Sequence, residues 1–279
     1  MAQPTPPLYA LDPALPVLLR PDGAVQVGWS PRRAVLIRPP RGVTASGLAT
    51  LLRAMHSPVP MSELQRRHSG LSNDELSALI GQLVSTGVAT RGTRQRPARS
   101  ASIRVHGRGP LSELLAEGLR CSGAKVKQSN QPHAVVTSAD ADLVVLSDNL
   151  VADPRMLREL HAHGVAHLAV RVRDGTGLVG PLVVPGVTSC LDCADLHRRD
   201  RDAAWPAVVA QLRDTVGVAD RATLLATAAL ALSQVNRVIG AVRGVDSDPP
   251  MSLSATLEFD VHAGSIVARQ WPKHPLCSC

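Results

Sequence analysis

The chain has 279 residues, enough for two domains of ordinary size, and its 44% hydrophobic content excludes general disorder. Aromatic residues make up only 2%, so the core must be aliphatic and nucleic-acid binding by ring stacking is disfavoured. The net charge of +7 is partly local, because residues 91–100 carry four arginines and no acid. We interpret 91–101 as a basic linker rather than a nucleic-acid-binding patch.

The first ninety residues contain hairpin and helix signals. Apolar and polar residues alternate in 16–40 around two turns, which predicts β-hairpins. Helical patterns follow at 44–55, 61–68 and 72–87, and residues 88–91 could form a wing strand. This order predicts a small α+β winged-helix-like domain over residues 1–90.

Winged-helix-like units bind DNA or peptides. A DNA-reading third helix should offer several basic or amide side chains to a groove. The pattern at 72–87 contains Asp74 and Glu75 but no Lys or Arg. We therefore favour a peptide or protein partner over nucleic acid, and a DNA-binding regulator is the alternative.

Beyond the linker, strand and helix patterns alternate. Apolar strand patterns occur at 103–105, 125–128, 141–149, 165–172 and 176–186, with helical patterns at 110–122 and 153–164. This alternation predicts an α/β domain with a mostly parallel sheet over residues 102–279. A late apolar run at 222–232 is about half a membrane span long and is interpreted as a buried helix. No secretory signal is visible, so we expect a cytoplasmic protein without a membrane span.

A glycine loop lies between the first strand and helix of this domain. Gly107 and Gly109 stand where a phosphate would meet backbone N–H groups and the helix dipole. Ser112 replaces the third glycine of the usual motif, and Pro110 removes an amide donor. The loop could therefore bind a nucleotide or could simply form a tight turn.

Four cysteines form two close pairs that are distant in sequence. The set consists of Cys190, Cys193, Cys277 and Cys279. Four thiolates suit a closed tetrahedral zinc site that would fix the C-terminus to the domain. A redox pair or free thiols are the alternatives, and His197 or His274 could replace one cysteine. We expect the fifth cysteine, Cys121, to be a small core residue rather than a nucleophile.

From Ile103 onward, the chain resembles the ubiquitin-activating-enzyme-like superfamily, which includes ThiF and MoeB. The matching features, in order, are Gly107 and Gly109, Ser147-Asp148-Asn149, the helix 153–164, Gly175, Gly186, the first cysteine pair, the apolar helix 220–240 and the terminal cysteine pair. The resemblance implies a Rossmann-like fold, a homodimer and adenylation of the C-terminus of a small carrier protein. It also implies ATP at the loop of Gly107, Gly109 and Ser112, with magnesium held by Asp148.

The sequence departs from that superfamily where phosphate should bind. Active members have a long insert with basic residues before the strand that ends at the magnesium-binding aspartate. Here residues 129–142 contain no Lys or Arg, so the charge of ATP would be largely uncompensated. This departure argues against ATP and magnesium binding in the manner of the superfamily.

The branch that fits better is that of the bacteriocin and thiazole/oxazole peptide cyclodehydratase-type proteins. The ending Trp271, His274, Pro275, Cys277, Cys279 is similar to theirs. This resemblance implies a peptide-clamp domain, a degenerate nucleotide site, a precursor peptide as ligand and a YcaO-type partner enzyme that uses ATP. The hypothesis is a zinc-containing recognition scaffold without catalysis of its own. An ATP-dependent adenylyltransferase is the main alternative.

Overall fold

The structure is a computed structural model that describes residues 6–67, 70–93, 99–131, 137, 139–244 and 248–279. The chain divides into two compact units, Met1–Arg96 and Pro97–Cys279. The central part of the expected basic linker, residues 94–98, lies outside the described residues.

The first unit combines two small antiparallel sheets with three helices in its described part. The strands are β1 (Pro7–Leu11), β2 (Val17–Leu19), β3 (Val25–Val27), β4 (Val35–Ile37), β5 (Val59–Pro60) and β6 (Ala89–Thr93), and the helices are α1 (Ala45–Ala54), α2 (Met61–Arg67) and α3 (Asn73–Ser85). One sheet has the order β5-β1-β6 and the other β2-β3-β4. The hairpins expected in 16–40 are present, whereas β1 and β5 carried no clear sequence signal. The winged-helix-like assignment stays a prediction.

Aliphatic side chains from all three helices fill the core of the first unit. Helix α3 buries Leu76, Leu79, Ile80 and Leu83, which share one face at the spacing of an α-helix. Its start is fixed by a capping box, in which the Ser72 side chain accepts from the Glu75 N–H and the Glu75 carboxylate accepts from the Ser72 N–H.

Replacing Ser72 with alanine is expected to lower the free energy of unfolding of the first unit by about 1 kcal/mol. The substitution leaves the Glu75 N–H without its side-chain acceptor at the start of α3. Urea unfolding followed by circular dichroism measures the change. Ser85→Ala, at the other end of the same helix, is the control and should cost clearly less. Equal costs would show that the capping box contributes nothing specific.

The second unit is an α/β domain built on a seven-stranded sheet. Its strands are β7 (Ser102–His106), β8 (Lys125–Ser129), β9 (Leu143–Ser147), β10 (His167–Arg173), β11 (Thr176–Val183), β12 (Ala255–Asp260) and β13 (Ser265–Gln270). Its helices are α4 (Pro110–Cys121), α5 (Pro154–Ala162), α6 (Leu191–Arg201), α7 (Trp205–Gln211) and α8 (Arg221–Val242). The predicted α/β class is confirmed.

The sheet has a parallel part and an antiparallel part, in the order β13-β12-β11-β10-β9-β7-β8. Strands β8, β7, β9 and β10 are parallel, and β11, β12 and β13 extend the sheet by antiparallel pairing. The carboxyl ends of β7 and β9 therefore lie at the same edge, which brings the glycine loop after β7 beside Asp148 after β9. The Rossmann-like assignment stays a prediction.

Helices cover both faces of this sheet. Helices α4 and α8 pack on one face with Ile103, Val105 and Val145, while α5 and α6 pack on the other with Val144 and Leu146. This division follows the alternation of side chains along each strand. Among the described residues, α8 alone is long and apolar enough to cross a membrane. It nevertheless contributes Ala228, Ala231, Val235 and Ile239 to the core, as the prediction of a buried helix requires.

Candidate metal centre and glycine loop

The structure brings together the four cysteines predicted to bind metal. Cys190 caps the N-terminus of α6, Cys193 lies in its first turn, and Cys277 and Cys279 belong to the C-terminal segment. The Sγ atom of Cys190 lies 3.8 Å from that of Cys193 and 3.5 Å from that of Cys277. The Sγ atoms of Cys193 and Cys279 are 3.4 Å apart, and all four lie within 4.8 Å of one another.

These separations fit a single tetrahedral metal ion. Zinc–sulfur bonds of about 2.3 Å in a tetrahedron place the sulfurs about 3.8 Å apart. The donor set is entirely thiolate, which is the chemistry of closed structural zinc sites. The four cysteines could therefore hold a metal ion, and zinc is compatible with them.

Backbone N–H groups further define the cluster. The N–H of Cys193 donates to Cys190 Sγ at 3.4 Å, and the N–H of His274 donates to Cys193 Sγ at 3.3 Å. Burial alone would raise the pKa of Cys193, but hydrogen bonds from the backbone at His274 and Cys190 and from the thiols of Cys279 and Cys277 outweigh it and lower that pKa to about 7. At Cys190 burial dominates and raises the pKa. Metal binding must therefore supply the energy to deprotonate Cys190.

Neither nearby histidine joins the cysteine cluster. His274 Nε2 lies 2.8 Å from the Asp200 carboxylate, and its Nδ1 accepts from the Leu276 N–H at 3.1 Å. Both ring nitrogens of His274 therefore already have partners, and these hydrogen bonds hold the C-terminal segment against α6. His197 Nε2 lies 3.1 Å from the Pro272 carbonyl oxygen. Neither ring is placed to replace a cysteine.

The glycine loop encloses a carboxylate that belongs to the chain itself. Asp148 is only 1% exposed, and its two oxygens accept from the Leu111 N–H at 2.9 Å and the Ser112 N–H at 3.1 Å. The Ser112 hydroxyl donates to the same carboxylate at 2.6 Å. The helix dipole favours an anion at the first turn of α4, and the Asp148 carboxylate already occupies that position.

The two glycines are required by this close approach. A Cβ at Gly107 would lie 2.4 Å from the Ser147 carbonyl oxygen, and one at Gly109 would lie 2.6 Å from Asp148 Oδ1. Gly107, Gly109, Ser112 and Asp148 are therefore neighbours in the structure. Their contacts are with one another, and their assignment to a cofactor stays a prediction.

Two features of the second unit differ from the sequence analysis. Cys121 is exposed at the end of α4, so the expectation that it lies in the core was wrong. The buried face of α4 contains Leu111, Leu115 and Leu119, and Cys121 lies off that face. A cavity of about 560 Å³, bordered by β10, α5, α6 and α7, was not predicted from the sequence. Its one sequence signal was the group of arginines late in α6.

The fold and the cysteine cluster define an α/β protein in which two distant cysteine pairs meet beside the sheet. No family model matches the chain, and no curated protein matches it. Among solved structures, the heterocyclase TruD matches with a TM-score of 0.70 and 16% identity, over 98% of this chain and 42% of TruD. This chain therefore spans less than half the length of TruD.

Escherichia coli MccB is a second structural neighbour. Its structure with AMPCPP and selenomethionine MccA matches with a TM-score of 0.62 and 12% identity, over 97% of this chain and 99% of MccB. Its structure with ATP matches with a TM-score of 0.61, 12% identity and the same coverage. At these identities the similarity establishes the fold alone.

Proposed function

We propose that this chain is a peptide-recognition scaffold in a peptide-modification system of the cytoplasm. Its first unit holds a precursor peptide, and its second unit supports a separate YcaO-type enzyme that uses ATP. The fold shared with a heterocyclase and with MccB, which has been solved together with MccA, supports this class of function.

The observation that carries the proposal is that the Asp148 carboxylate is hydrogen-bonded to the start of α4. A magnesium-binding aspartate must offer its oxygens to the ion, and a phosphate needs the free N–H groups of a helix start. Here the carboxylate and the N–H groups of Leu111 and Ser112 bind each other. Together with the absence of Lys and Arg in residues 129–142, this favours a scaffold without its own ATP chemistry.

The cysteine cluster has a structural role in this proposal. Four thiolates around one zinc leave no open position for water or substrate, which a catalytic zinc requires. The zinc would join the start of α6 to the C-terminal segment, whose Trp271 is buried and donates its indole N–H to Thr256 Oγ1 at 2.9 Å. The metal would thus hold the framework and take no part in a reaction.

The peptide would add to the first unit at strand β4. This strand is at an edge of its sheet, and Leu36 is 54% exposed there. The flanking residues 30–42 contain four exposed arginines and no acidic residue: Arg32, Arg33, Arg38 and Arg41. An extended peptide with apolar and acidic residues would pair with the strand and complement this charge.

Replacing Leu36 with glutamate is expected to abolish selection of such peptides from a displayed library of random 20-residue sequences. The change removes an apolar contact and places a negative charge where an acidic peptide would lie. The control is Leu18→Glu on β2, at the opposite edge of the same sheet, which should retain binding. Sequencing of the enriched peptides and fluorescence anisotropy measure the effect. Enrichment of basic peptides, or equal loss in both variants, would contradict the proposal.

The second candidate function is ATP-dependent adenylation of a carrier protein's C-terminus. Its support is that MccB, which matches over nearly its whole length, has been solved with ATP. In that case Asp148 would have to leave the start of α4 to reach magnesium.

A further inference from the structure

The second unit contains a cavity that the proposed function does not use. Its volume is about 560 Å³, which lies within the range of small-molecule sites. It is bordered by the segment after β9, the end of β10, α5, α6, α7 and the C-terminal segment. The glycine loop does not line it.

Most of the cavity wall is apolar, and part of this apolar surface is exposed to solvent. Leu150, Leu157, Leu191, Leu196 and Val209 contribute to this wall. Helix α7 contains two valines and a tryptophan, yet none of its residues is buried. Trp205 and Val209 on that helix face the cavity, so an apolar occupant would remove their side chains from water.

The charged side chains of the cavity are predominantly positive, with five arginines and two aspartates. Most of the arginines have an acidic neighbour. Arg198 lies 2.8 Å from Asp195, Arg173 lies 3.8 Å from Glu258, and Arg199 lies 3.5 Å from Asp200. Arg213 is exposed to solvent, as is Asp192, the other acid of the lining.

Arg171 is the exception among these arginines. It is half-buried on β10, and within the described part of the chain no carboxylate lies within ion-pair distance and no group accepts a hydrogen bond from it. Burial and the neighbouring cation Arg198 lower the pKa of Arg171 to about 10, and Asp195 offsets this only in part. Cys277 also lines the cavity, but its sulfur accepts no hydrogen bond from Arg171.

We propose that this cavity binds an apolar monocarboxylate, whose carboxylate pairs with Arg171 and whose body packs against Trp205, Val209 and the leucines. A single uncommitted, half-buried guanidinium matches one negative charge, and its planar fork suits a carboxylate. A nucleotide would bring several negative charges to a wall that is mainly apolar. The site does not depend on peptide binding by the first unit. Its ligand could be a free acid or the C-terminal residue of a peptide, which share this chemistry.

The test is isothermal titration of the full, metal-loaded chain with two matched pairs of probes. The first pair is octanoate and octanamide, and the second is acetyl-Leu-Leu with a free or an amidated C-terminus. If the cavity accepts a given pair of probes, we expect the acid of that pair to bind at least about tenfold more tightly than its amide. A charged, hydrogen-bonded pair with Arg171 requires a difference of this size. The pair with the larger preference identifies the free acid or the peptide as the source.

Variants assign the preference to Arg171. Arg171→Gln should remove the difference between acid and amide while leaving amide binding unchanged. Arg158→Gln removes the same charge from an exposed position on α5 outside the cavity. It should change neither the preference for the acid nor the affinity for the amide. Equal binding of acid and amide to the unaltered chain, or no binding of any probe at millimolar concentration, would overturn the proposal. So would an unchanged preference in a folded Arg171→Gln variant.

Discussion

Replacing Cys190 with serine is expected to abolish metal binding and to destabilise the second unit severely. Cys190 Sγ contacts two other sulfurs of the cluster, and its side chain also caps α6. Structural zinc sites contribute on the order of 10 kcal/mol to the folding of small domains. A loss of even about 5 kcal/mol would lower the midpoint of thermal unfolding by roughly 10–20 °C in a unit of this size.

Elemental analysis and calorimetry measure this effect. The unaltered chain should contain one zinc per molecule, and the Cys190→Ser variant should contain none. The matched control is Cys121→Ser, which alters an exposed cysteine outside the cluster and should change neither zinc content nor unfolding midpoint. A native chain that is equally stable without zinc would refute the structural role. A reversible disulfide between Cys190 and Cys193 in the metal-free chain would instead support the redox alternative.

The cysteine cluster shows what spacing alone can predict. Two close pairs of one metal-binding residue type predict that both pairs meet at one ion, because each pair alone leaves half of a tetrahedron unfilled. On that basis Cys190 and Cys193 were predicted to meet Cys277 and Cys279, and the structure brings the two pairs together, with contacts between residues 87 and 86 positions apart. It did not predict the N–H groups that contact the sulfurs, because these depend on the fold of the C-terminal segment.

Two of the elements missed in the second unit, β13 and α7, lack the signals that burial imposes on a sequence, whereas β12 alternates apolar and polar residues and was missed in spite of that signal. Every residue of β13 is exposed, so its pattern need not alternate between apolar and polar residues. Helix α7 buries none of its residues, so no apolar face with helical spacing identifies it. By contrast, all five residues of β9 are buried, and its continuous apolar run predicted a strand.

The role of Asp148 illustrates a different limit. The family resemblance implied one site for Asp148 and the glycine loop, and the parallel pairing of β7 and β9 brings the two to the same edge of the sheet. Whether the carboxylate faces an open site or the start of α4 depends on separations of a few ångströms. Asp148 also has a φ of 70°, a left-handed backbone conformation that a single sequence does not reveal.

Replacing Asp148 with alanine is therefore expected to reduce stability without affecting ATP binding. The Leu111 N–H and the Ser112 N–H would each lose a buried acceptor, at about 1–3 kcal/mol for each unsatisfied group, whereas the Ser112 hydroxyl can still donate to the Gly109 carbonyl oxygen at 2.9 Å. We expect a total loss of about 4 kcal/mol in the free energy of unfolding. Asp148→Asn should lose less, because its carbonyl oxygen can still accept from one N–H and asparagine tolerates the left-handed conformation.

Asp214→Ala provides the control for the backbone. Asp214 is exposed and also has a positive φ, of 63°, so its replacement measures the cost of alanine in that conformation without a buried acceptor. We expect about 1 kcal/mol for this control. Isothermal titration with magnesium-ATP is performed on the unaltered chain and on the three variants. A scaffold predicts no binding to the unaltered chain, because the α4 start is already occupied by Asp148. Micromolar binding that Asp148→Ala abolishes without loss of stability would instead identify a magnesium ligand and favour the adenylyltransferase.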